Sequence, residues 1–126
     1  IIAVLGLKNA KAVHGRAEDL AAEQFHREKY DICLSRAVAE LPILAEYCLP
    51  FVRVGGYFGA YKTTDFHEEL NKSKKALKIL GGRFKDTTEF PIDLGMDHNI
   101  IWIEKTGKTP AKFPRRAGIP SKEPII

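Results

Sequence analysis

Tyr30-Asp31-Ile32-Cys33-Leu34-Ser35-Arg36-Ala37-Val38-Ala39-Glu40-Leu41-Pro42 is an apolar run that stops on a Ser-Arg step and then opens a helix. The unbroken Ile32-Cys33-Leu34 centre predicts a strand over Tyr30 to Ser35, buried on both faces. Upstream, His14-Gly15-Arg16-Ala17-Glu18-Asp19 repeats the arrangement. It reads as a short strand from Lys11 to His14, a turn from Gly15 to Asp19, and a helix over 18–27. Both strand-loop-helix units carry charged residues at the carboxyl end of a strand, where open α/β sheets hold their ligands.

The flanking segments extend this alternation. Leu41, Leu44, Ala45 and Cys48 stand at i, i+3, i+4 and i+7 on a helix from Glu40 to Tyr47, with Pro42 in its first turn and Pro50 closing it. Gly55-Gly56 turns into a strand from Tyr57 to Lys62. Phe66 to Leu80 reads as one helix, with Phe66, Leu70, Leu77 and Leu80 facing inward and a Glu68–Lys72 pair outward; Gly81-Gly82 ends it. Arg83 to Ile92 and Asn99 to Lys105 read as the strands of an antiparallel hairpin. Ile1 to Asn9 reads as the end of a helix with Gly6 as its left-handed terminator. With no initiating methionine, the chain is expected to be the inside of a longer polypeptide. The order, helix then β-α-β-α-β-α then hairpin, predicts a doubly wound, Rossmann-like α/β fold.

The 126 residues, 44% of them hydrophobic, suffice for one domain with a buried core. Formal net charge is +4, and the residues from Gly107 onward account for all of it: Lys108, Lys112, Arg115, Arg116 and Lys122 against Glu123. The division expected is therefore a neutral body over 1–106 and a basic, proline-rich, extended tail over 107–126. Such a tail suits a polyanionic partner or solubility alone. Cys33 and Cys48 lack CxxC or metal-ligand spacing and read as buried free thiols in a reducing cytosol. His14, His26, His67 and His98 show no metal spacing either. No apolar run approaches the roughly 18 residues of a membrane span, and Ile1 to Leu7 lacks a basic n-region, so a soluble, cytoplasmic protein is expected.

Three charged positions converge on the predicted rim. Glu18, with Asp19 beside it, could accept from an amino group or a ribose hydroxyl, or simply suit a helix N-terminus. Arg36 could fork onto a carboxylate or phosphate, or pair with Asp19 or Glu40. Lys62 ends the third strand on the same rim. No Gly-x-Gly-x-x-Gly occurs in the sequence, nor a Pro-Cys pair for attack on a pyrimidine, nor an Asp/Asn-Pro-Pro-aromatic motif for exocyclic amines.

Leu5-Gly6-Leu7 with Gly15-Arg16-Ala17-Glu18-Asp19, Ser35-Arg36-Ala37-Val38-Ala39, Gly55-Gly56 with Lys62, Lys74-Lys75-Ala76, Leu80-Gly81-Gly82 and Pro114-Arg115-Arg116-Ala117-Gly118-Ile119-Pro120 together resemble the glucose-inhibited division protein B family, bacterial 16S ribosomal RNA guanine-N7 methyltransferases. The resemblance implies a class I S-adenosylmethionine-dependent methyltransferase sheet ending in an antiparallel hairpin. Ala17 and Glu18 would hold the adenosine part of the cofactor, with Arg36 a further cofactor contact. Lys62, Lys112, Arg115 and Arg116 would face ribosomal RNA of the small subunit. Thr63 stands where glycine usually follows the family lysine, and His98-Asn99 where arginine is common. No catalytic acid–base pair and no metal are expected, because guanine N7 attacks with an in-plane lone pair and needs alignment rather than deprotonation. The resemblance also places the family's glycine-rich loop and central strands upstream of Ile1, so this chain alone should bind S-adenosylmethionine weakly and be inactive. A non-enzymatic RNA-binding module using the tail, and another nucleotide-dependent doubly wound enzyme, are the alternatives.

Overall fold

A computed structural model describes residues 5–6, 8–36, 39–63, 66–89 and 98–126. The sheet is built from β1 (Tyr30–Ser35), β2 (Val52–Thr63), β3 (Gly82–Glu89) and β4 (His98–Lys105), in the order β1-β2-β4-β3. β1 runs parallel to β2, and β4 is antiparallel to both of its neighbours, β2 and β3. Parallel units therefore end in an antiparallel pair, as expected of a methyltransferase-type sheet.

The helices are α1 (Ala17–Ala22), α2 (Leu41–Cys48), α3 (His67–Lys72), α4 (Lys74–Leu80) and α5 (Ile119–Lys122), with a 3-10 turn at Leu49–Phe51. The stripe Leu41, Leu44, Ala45 and Cys48 is buried, and it meets Phe58 and Ala60 of β2, Ile101 and Ile103 of β4, and Leu77 and Leu80 of α4 in a single core. Gly81 (φ 87°) ends α4, its N–H donating to the Leu77 carbonyl.

Several sequence expectations are corrected. Lys11 to His14 forms no strand. A strand needs a neighbour to take its backbone hydrogen bonds, and among the described residues none pairs with this segment. β1 is not buried on both faces: among the described residues it is the edge strand of the sheet, with Ile32 and Leu34 each 54% exposed. α1 stops at Ala22 instead of reaching 27, because the chain turns so that the Glu28 and Lys29 amides can donate to the carbonyls of Pro50 and Phe51 (2.7 and 3.1 Å). β2 starts at Val52, earlier than expected. The register of β1 against β2 moves from Tyr30↔Val52 to Ile32↔Tyr57, so the extra residues, Gly55 among them at φ 91°, bulge within the strand. The helix expected over Phe66 to Leu80 breaks at buried Ser73, whose Oγ donates to the Glu69 carbonyl at 2.7 Å and bends the chain into α3 and α4. The helix end expected over Ile1 to Asn9 falls largely outside the described residues; Gly6 has φ 66°.

Residues 107–126 pack back on the body. Thr106 and Gly107 donate their amides to the Gly81 carbonyl (2.8 and 3.1 Å), and Thr109 Oγ1 donates to the Leu80 carbonyl at 2.6 Å. Arg27 donates to the carbonyls of Thr109, Pro110 and Phe113 at 3.0, 2.9 and 2.6 Å.

Candidate functional site

Because β1 and β2 are parallel, their carboxyl ends share one rim, where Ser35 lies beside Ala60 and β4 begins opposite Thr63. Arg36 leaves β1 at this rim and is exposed. Among the described residues neither Asp19 nor Glu40 forms an ion pair with it, and no hydrogen bond joins it to Glu18.

Lys62 sits close by, but its side chain is only 6% exposed. Its Nζ donates to the Ala39 carbonyl at 2.7 Å and pairs with Glu69 Oε1 at 3.2 Å. The ammonium thus ties the loop that carries Arg36 to α3, and its hydrogen bonds are directed inward. Ala17 and Glu18 occupy the first turn of α1, half-buried. Glu18 Oε2 accepts the Gly118 N–H at 3.2 Å, which brings the carboxyl-terminal segment onto this acid.

The tail cations divide into two kinds. Lys112 and Arg116 are exposed, the Lys112 ammonium standing 5.5 Å from the Phe113 ring centroid. Arg115 is engaged with Glu46, a carboxylate only 1% exposed. The Arg115 amide donates to Oε2 at 2.8 Å, Nε to both oxygens at 3.0 and 3.2 Å, and Nη2 to Oε1 at 2.8 Å. Nη2 also donates to the Glu123 carbonyl at 2.6 Å. This is the forked geometry in which a guanidinium meets a carboxylate best, and hydrogen bonding to Glu46 raises the Arg115 pKa further. Between the two acids, burial first and then the Glu18 and Glu46 charges push the Tyr47 phenol up.

Sequence reasoning missed Glu46, which sits on the helical stripe's flank with nothing to mark it as the tail's anchor. It also missed Lys105, fully buried, whose Nζ donates to the carbonyls of Leu49 and Val52 and pairs with Glu28. The expected thiols are free; Cys48 is buried and Cys33 half-buried. Among the described residues no group of three or more His, Cys, Asp or Glu side chains could hold a metal, and no helix is long and apolar enough to cross a membrane.

A parallel β1–β2 pair with an antiparallel β4 inserted between β2 and β3 makes a Rossmann-like α/β sheet. Two solved structures share it: an rRNA methylase from Streptococcus thermophilus (TM-score 0.55, 15% identity, 84% of this chain and 63% of that one) and M1.HpyAVI in its SAM complex (TM-score 0.50, 15% identity, 76% and 56%). The family model GidB, rRNA small subunit methyltransferase G, matches residues 1–94. Ribosomal RNA small subunit methyltransferase G of Acetivibrio thermocellus is 50% identical over 126 residues, 99% of this chain and 52% of that protein. Its counterpart from Alkaliphilus metalliredigens is 47% identical over 122 residues, 96% and 51%. The chain belongs to the rRNA small subunit methyltransferase G (GidB) family, and it spans about half the length of these relatives.

Proposed function

We propose that the protein carrying this chain transfers the methyl group of S-adenosylmethionine to N7 of a guanine in 16S ribosomal RNA. Family membership carries the reading: near half of the residues are identical to relatives named for small-subunit rRNA methylation. The geometry supports it with Arg36 exposed at the carboxyl end of β1, unpaired among the described residues, and Glu18 presenting Oε1 while Oε2 is held.

Glu18 would accept from the ribose hydroxyls, with Ala17 beside it against the adenosine, and Arg36 would take the cofactor's carboxylate. S-adenosylmethionine supplies an electrophilic methyl; the chain's own task is to align donor and acceptor and to exclude water. A guanine N7 lone pair makes that sufficient, and no side chain is assigned to move a proton. Of the cations expected at RNA, exposed Lys112 and Arg116 suit direct phosphate contact, whereas Lys62 and Arg115 are engaged within the fold and would act by holding the surface in place. The partner would be 16S rRNA, naked or in the small subunit, met in the cytoplasm.

The test is to incubate the intact protein with S-adenosylmethionine and unmodified small subunits, then extract the 16S rRNA. Borohydride and aniline treatment cleaves the strand at 7-methylguanine. Scission at one guanine, lost with Arg36→Ala, supports the reading; methyl transfer to another base, or none, overturns it.

A further inference from the structure

The carboxyl-terminal segment touches the proposed cofactor acid through a backbone amide and is anchored elsewhere by an ion pair between half-buried Arg115 and buried Glu46. Gly118 adopts φ 89°, a left-handed conformation, and its N–H donates to Glu18 Oε2 at 3.2 Å. A Cβ at Gly118 would meet nothing within 4 Å. Glycine is therefore required there by the backbone conformation that aims the amide, and not by space. Three residues back, Arg115 grips Glu46 of α2 through its amide and its guanidinium. The same guanidinium holds the Glu123 carbonyl, so both ends of the turn that contains Gly118 and α5 are fixed to one point.

Resting on the reading of Glu18 as a cofactor residue, we propose that residues 115–118 form a strap that positions Glu18 for the adenosine, with Arg115 on Glu46 as its anchor. A carboxylate has acceptor sites on both oxygens. With Oε2 engaged by Gly118, Oε1 is presented in one orientation to a hydroxyl donor. The rotamer freedom that Glu18 would otherwise lose on binding is already lost in the folded protein. Arg115 is a positioning residue: it acts on the cofactor through Gly118 and Glu18. Because exposed Arg116 is the next residue, RNA held by the tail would also bear on the strap.

The test is a double-mutant cycle in the intact protein, reading S-adenosylmethionine affinity by calorimetry and KM and kcat by methyl transfer. Glu18→Gln should weaken cofactor binding. Arg115→Ala should weaken it about three- to tenfold, the range expected from freeing one ordered side chain, and should raise KM while kcat changes little. In a Glu18→Ala background, which also removes the oxygen that accepts the Gly118 N–H, Arg115→Ala should add almost nothing. Removing one member of a buried pair can unfold a protein, so the apolar pair Glu46→Leu with Arg115→Met gives the same comparison without a stranded charge. Additive losses, or wild-type cofactor affinity in both anchor variants, overturn the strap while leaving the role of Glu18 intact. Wild-type affinity in Glu18→Gln overturns the role of Glu18 and the strap with it.

Discussion

Lys105→Met should destabilise the fold strongly. The side chain is fully buried at the end of β4. Its ammonium donates to the carbonyls of Leu49 and Val52 at 2.7 and 2.9 Å and pairs with Glu28 Oε2 at 3.2 Å. Methionine keeps the volume but leaves both carbonyls unpartnered by Nζ and removes the cation facing Glu28. Breaking a buried pair from one side costs about 3–5 kcal/mol. Glu28 is 21% exposed and still accepts the Thr109 amide at 3.2 Å, so the lower end applies. A loss of about 3 kcal/mol, with an m-value of ~2 kcal/mol/M, moves the urea midpoint down by about 1.5 M. Fluorescence of Trp102, three residues along β4, reads the transition in the intact protein. Burial also lowers the Lys105 pKa, against the opposing pull of Glu28. Between that lowered value and the ordinary lysine value the unfolded chain binds more protons than the folded one, so wild-type stability relative to Lys105→Met should rise with pH through this window. A midpoint shift below about 0.3 M, with m unchanged, would refute the assignment of Lys105 as the tie between β4, Leu49, Val52 and Glu28.

Gly81→Ala should cost about 2 kcal/mol or more, since it puts a side chain at φ 87° and drives a Cβ into the Gly107 carbonyl; a thermal midpoint within about 2 °C of wild type would show that the 106–109 segment gives way freely. The neighbouring Cys48 thiol lowers the Cys33 pKa, whereas the Cys33 thiol and burial raise that of Cys48. In native protein, iodoacetamide should therefore label Cys33 first, at a lower pH than an ordinary thiol requires, from the cavity of about 320 Å3 that it lines with Val13, His26 and Phe51. Equal labelling of both cysteines by mass spectrometry contradicts that order.

Periodicity exposed what depends on one element at a time. The α2 stripe was legible because every third or fourth residue is apolar, and the β4 core because Ile101 and Ile103 alternate with Trp102. What failed depended on partners distant in sequence. Lys11 to His14 has strand-like residues, but a strand exists only where another backbone receives it. Ser73 leaves the apolar spacing of Phe66 to Leu80 intact while its hydroxyl bends the helix. The cations were hardest. Formal charge locates Lys62, Arg115 and Lys105 without revealing the partners at Glu69, Glu46 and Glu28 that direct them inward. Of the site itself, the sequence and its resemblance nominated Glu18 and Arg36; that a backbone amide a hundred positions along the chain holds Glu18 followed from neither.

These internal pairs change what the tail's charge means. Its first anchors, at Gly81, Leu80 and Arg27, lie at the end of α4 and in the turn between α1 and β1. Its later anchors, on Glu46 and Glu18, lie on α2 and in the first turn of α1. A segment fixed at both places cannot be displaced at one without loading the other, because packed interiors transmit displacement rather than absorb it. The exposed cations Lys112 and Arg116 stand between and beside these anchors, so the proposed phosphate contact there would be coupled to order at Glu18 through one continuous backbone. On the proposed reading, RNA binding that left Glu18 undisturbed would require the strap to bend between Arg116 and Gly118. Pro114 on one side and the Ile119–Lys122 helix on the other leave little backbone in which to do so.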